Sequence, residues 1–217
     1  KSIIEMHSLI DGLMKWEIDI SNCMENNITP VEIKSFIGIY KENLWVQLSS
    51  GNLIAINVEL GEIIHKLTST INHNTSIKPN KTNPFLPSSR NKLHIDKSRG
   101  KIYGESLNGI WEINLNKEKP NFETWGIEAE LIKYGFDELS YNTSYYEGKL
   151  FFIGMKTPRW GLINLDNKKI IWVSEPINIP KKNDAFAQLK KIEVNSIDVY
   201  VLDSGGTLHI YKNEMEL

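Results

Sequence analysis

The stretch Ser50-Gly51-Asn52-Leu53-Ile54-Ala55-Ile56-Asn57-Val58, running on through Gly61-Glu62-Ile63-Ile64-His65, reads as two short apolar strands, each opened by a glycine-containing turn. Its closing tripeptide returns twice, as Ile113-Asn114-Leu115 and Ile163-Asn164-Leu165, at intervals of roughly 50 to 60 residues. The match extends outward. Before each tripeptide lies an apolar run opened by a turn: Glu42-Asn43 before Leu44-Trp45-Val46, Arg99-Gly100 before Ile102-Tyr103, and Gly148-Lys149 before Leu150-Phe151-Phe152-Ile153. A looser fourth copy holds Val199-Tyr200-Val201-Leu202, the turn Ser204-Gly205-Gly206, and Leu208-His209-Ile210-Tyr211. Self-similarity at such a period marks a repeat architecture of supersecondary units.

Each repeat divides into four strands, a to d. The first gives Ser35 to Tyr40, Leu44 to Leu48, Asn52 to Val58 and Glu62 to Leu67. The second gives Lys92 to Asp96, Lys101 to Gly104, Gly109 to Leu115 and Asn121 to Gly126, and the third Ser144 to Tyr146, Leu150 to Gly154, Trp160 to Leu165 and Lys169 to Ser174. The fourth supplies only a, b and c, at Leu189 to Val194, Ile197 to Leu202 and Thr207 to Tyr211. Strand d carries a ring in its middle: Trp125, Trp172, and His65 in that place in the first repeat. The N-terminal segment Asp11-Gly12-Leu13-Met14-Lys15-Trp16 has the spacing of Gly61 to His65. It reads as the missing d strand of the last repeat, pairing beside Thr207 to Tyr211 and closing a ring, which removes exposed strand edges.

In these residues the sequence resembles the β-propeller class and its pyrroloquinoline-quinone-like repeat, in which a turn glycine, an apolar strand, a tight turn and a Trp-containing strand recur. Ser50 to Asn57 with Gly61 to His65 carries the resemblance most fully, and Asn164-Leu165-Asp166 leading to Ile171-Trp172 comes next. The resemblance spans residues 11 to 211 and implies an all-β, four-bladed propeller in a single domain, 1–217. Its repeats are 31–67, 92–126, 144–174 and 189–211, and its last blade is closed by strand 13–18. Quinone chemistry would need a cysteine pair to stack on the cofactor and a carboxylate set for its metal. Neither pattern is present in the sequence, so no cofactor and no metal are expected.

A formal charge of −2 over 217 residues gives no overall field for a phosphate backbone, so no nucleic-acid partner is expected. Cys23 is the single cysteine, which suits a reducing compartment and predicts a cytoplasmic protein, although the chain opens on Lys1. No apolar window reaches membrane-spanning length.

Catalytic patterns are absent: there is no nucleophile elbow, phosphate loop or His-Glu-x-x-His helix, and the five histidines show no close-spaced ligand pair. The six tryptophans sit mainly at recurring strand positions, where packing accounts for them. Trp160 follows the turn Thr157-Pro158-Arg159 and is read as a rim residue.

Connectivity gives the functional lead. In a four-stranded antiparallel blade, the d-to-a link emerges on the same face as the b-to-c turn. The long connections here are all d-to-a links: Ser21 to Val31, Thr68 to Asn91, Ile127 to Asn142 (with a helical turn expected at Glu128 to Gly135) and Glu175 to Gln188. Long irregular connections are where function concentrates. The predicted partner-binding face therefore carries Lys78, Lys81, Arg90, Glu128, Glu130, Asp137, Glu138, Arg159, Trp160, Lys181 and Lys182. Mixed charge with an aromatic fits a protein partner. The sequence is read as a non-enzymatic protein-binding propeller, in its most concrete form a bacterial immunity protein that neutralises a cognate toxin. The alternatives are a carbohydrate-active hydrolase or lyase with carboxylates at the channel mouth, and an envelope scaffold.

Overall fold

A computed structural model of the protein describes residues 2–21, 23, 31–68, 92–106, 109–179 and 187–212. A two-stranded hairpin opens the chain, β1 (Ile3–His7) and β2 (Met14–Asp19). Three four-stranded sheets follow. The first is β3 (Ile33–Tyr40), β4 (Asn43–Leu48), β5 (Leu53–Asn57) and β6 (Ile63–Leu67); the second is β7 (His94–Asp96), β8 (Lys101–Ser106), β9 (Gly109–Asn114) and β10 (Phe122–Gly126). After the short helix α1 (Glu128–Lys133) comes the third, β11 (Leu139–Tyr146), β12 (Lys149–Gly154), β13 (Trp160–Asn164) and β14 (Lys169–Val173). The last sheet has three strands, β15 (Leu189–Val194), β16 (Asp198–Asp203) and β17 (Leu208–Lys212). In every sheet the strands lie side by side in chain order, an up-and-down arrangement.

The recurring tripeptide has one job per residue. Its isoleucine, at 56, 113 and 163, is fully buried. Its asparagine turns the chain from c into d: Asn57 Oδ1 accepts from the amides of Glu59 and Leu60, Asn164 Oδ1 from those of Asp166 and Asn167, and Asn114 Oδ1 from that of Asn116. Such a side chain stands in for a backbone turn acceptor. The third residue ties this turn to the one joining a and b. The amides of Val58, Leu115 and Leu165 donate to the carbonyls of Glu42, Gly100 and Gly148 at 2.8, 2.8 and 3.0 Å.

The ring of strand d also has a fixed place. His65 pairs with Ala55 and Trp172 with Leu162, each across a c–d hairpin. Trp16 pairs with Met6 at the same offset along the chain, so β1 and β2 are themselves a c–d hairpin. This corrects the expected closure. Met14–Asp19 is indeed a d-type strand, but its c neighbour is Ile3–His7; among the described residues β17 pairs only with β16, and no sheet closes.

Compact packing divides the chain into two units, Lys1–Tyr103 with Glu112–Glu123, and Gly104–Trp111 with Thr124–Leu217. In the first, Ile4 and Ile20 from the hairpin region join Val31, Val46, Leu48, Ile54 and Ile56 in one core, with Trp16 and Ile63 against it. Cys23 belongs to this core, and burial raises its thiol pKa. In the second, Phe151, Ile153, Trp160 and Leu162 of the third sheet pack on Leu189, Ile192, Val199 and Val201 of the fourth.

Candidate partner-binding face

In three of the sheets, the end of the d-to-a connection is bonded to the b-to-c turn. The amides of Ser49, Met155 and Ser204 donate to the carbonyls of Glu32, Glu138 and Gln188 at 2.8, 2.9 and 2.8 Å. In two of them the serine hydroxyl Oγ also accepts from the amide of its partner, Glu32 or Gln188. Strand alternation in a meander forces this juxtaposition. Within each of these sheets, the end of the d-to-a link that enters strand a therefore sits beside the b-to-c turn.

The best defined stretch is 127–139. Ile127 and Leu131 bury α1 against the sheet, while Glu128 and Glu130 occupy its first turn, where the helix dipole favours carboxylates. The helix ends in a left-handed Gly135, φ +77°, with its amide bonded to Ile132 O and the Phe136 amide bonded to Leu131 O. This is a Schellman stop. Arg159, from the b-to-c turn, then secures that end: Nη1 donates to Tyr134 O and Nε to Ser174 O, both at 2.8 Å, and the guanidinium lies 5.7 Å from the centre of the Phe136 ring. Arg159 thus positions α1 rather than presenting a free charge. Asp137 Oδ1 accepts from the Lys156 amide and the Thr157 hydroxyl at 3.3 Å, with Lys156 Nζ 4.0 Å from its other oxygen.

Glu128 is exposed and Glu130, Asp137 and Glu138 are partly so; Asp137 and Glu138 are bonded to the 155–159 turn, while Glu128 and Glu130 stand in the first turn of α1. Trp160 is a correction. It is 3% exposed, held among Phe151, Trp172 and Tyr211 at 6.3, 4.5 and 5.1 Å, and cannot touch a partner at a rim. Lys78, Lys81, Arg90, Lys181 and Lys182 lie outside the described residues. The sequence reading missed Ile132, which is 65% exposed four residues after Glu128 on α1, the adjacent Lys133, and Lys156 beside Asp137. The available signal was the i, i+4 spacing that puts Ile132 on the face of Glu128 and away from Leu131. An exposed apolar residue on a helix that also carries Glu128, Glu130 and Lys133 has the composition of a protein-binding patch.

Two histidines have defined surroundings elsewhere. His65 stacks on Trp45 at 5.9 Å, and burial lowers its pKa. His209 Nε2 lies 2.9 Å from Asp203 Oδ2. Burial pushes the Asp203 carboxyl up, but bonds from His209 and from the Thr207 and Gly205 amides outweigh it and hold the pKa below its usual value. Among the described residues, no group of three or more His, Cys, Asp or Glu side chains could hold a metal ion.

The sequence matches no protein-family model and no curated protein. Among solved structures it is similar to the β-propeller domain of Cps50 (Swd1) from Myceliophteria thermophila, at 10% identity and a TM-score of 0.49, covering 80% of this chain and 49% of that one. It is similar to BamB from Moraxella catarrhalis, at 10% identity and TM-score 0.45, covering 98% and 68%. It is also similar to the computationally designed Ika4 protein, at 5% identity and TM-score 0.51, covering 87% and 94%. The chain spans about half the length of the Swd1 propeller domain. The likeness to Ika4 is one of fold. The repeated four-stranded, up-and-down sheets of this chain are of the kind that form the blades of β-propellers.

Proposed function

We propose that this chain is a non-enzymatic protein-binding propeller, its four repeats acting as blades and its partner docking where d-to-a links meet b-to-c turns. The observation that supports the reading is the surface of α1, where exposed Ile132 shares a short helix with Glu128, Glu130 and Lys133, and the end of that helix is held by Arg159 from the b-to-c turn. A rigidly held patch keeps the ordering cost of association low. In its sharpest form the partner is a toxin and the chain is the immunity protein that neutralises it. The basic positions Lys78, Lys81, Arg90, Lys181 and Lys182 extend the same face in this proposal. The test is co-expression of the chain with the product of any neighbouring gene that arrests growth when expressed alone. Survival that requires the chain, and that is lost with Ile132→Asp while the chain stays folded, supports the reading; survival without the chain, or protection unaffected by Ile132→Asp, counts against it.

A further inference from the structure

We draw no further inference here: the strongest candidate, the open groove of about 360 Å³ between residues 174–178 and the His209 and Tyr211 side of β17, is walled by a strand without an outer neighbour among those described, and nothing in the structure shows what covers it.

Discussion

The indole N–H of Trp16 donates to the carbonyl oxygen of Val58 across 2.8 Å. The ring lies against Gly61, where any β-carbon would fall within 2.7 Å of it. The N-terminal hairpin is therefore locked onto the c–d turn of the first sheet. Trp125 makes the matching approach to the third sheet, where Lys168 Nζ lies 4.2 Å from its ring centre. Gly61 and Lys168 are equivalent, each four residues after the repeated asparagine and each left-handed, with φ +70° and +60°. The d-strand tryptophan is a coupling between a hairpin and the next sheet's turn.

Trp16→Ala should destabilise the protein by about 3 kcal/mol, the low end for a large aromatic because the ring is only partly buried. Gly61→Ala should cost about 1–3 kcal/mol through the clash with the same ring and the left-handed backbone. Urea unfolding of each variant and of the pair checks both values. The double variant should lose less than the sum, since Trp16→Ala removes the ring that the methyl group introduced by Gly61→Ala would strike.

Asn57→Ala and Asn164→Ala should each cost about 1 kcal/mol, because two turn amides lose a protein acceptor but remain near solvent. Asn→Asp at either site should be close to neutral, since a carboxylate oxygen makes the same turn. Thermal melts of the four variants measure this.

Arg159→Lys should destabilise by about 2 kcal/mol, because an ammonium cannot span Tyr134 O and Ser174 O as the planar fork does. Amide exchange should quicken in α1 while the core of β12 and β13 stays protected.

Acid sensitivity should begin with His65. Burial lowers its folded pKa below 6.5, so the unfolded chain takes up a proton first. Its contribution to stability is complete above pH 6.5 and is lost as the pH falls from there through the folded value. Asp203, also depressed, loses its contribution only below about 3.8. His7, raised by its bond to Glu5, has the opposite sign, its contribution falling as the pH rises through a value above 6.5. His65→Phe should remove the loss of stability just below pH 6.5 in unfolding measured from pH 8 to 5, and leave the rest of the profile in place.

The repeat was legible because each tripeptide residue answers a separate physical demand, a core position, a turn acceptor and a tie between turns, so all three recur together. The hairpin was half legible. Gly12 and Trp16 identified a d strand, but its c partner Ile3–His7 precedes any recognisable repeat, and only the pairing of Met6 with Trp16 reveals it. Near the candidate face, the helical turn at the start of the 127–142 link was legible, and strand alternation required the end of that link to meet the b-to-c turn. The burial of Trp160 was not legible, because the turn before it suggested exposure while the Ser174 hydroxyl, accepting from its amide at 3.1 Å, and the Tyr211 ring enclose it. Both partners are distant in sequence, and burial of that kind has no local signature.

The central claim is that a protein partner binds where d-to-a links meet b-to-c turns. The most direct measurement is calorimetric titration of the partner, purified by capture on the intact chain, against two charge-reversed variants. Glu128→Lys with Glu130→Lys should weaken binding at least tenfold at unchanged melting temperature, and Lys97→Glu with Lys169→Glu, on the opposite turns, should stay within about twofold of the parent. Loss of binding with the second pair and none with the first would contradict the account.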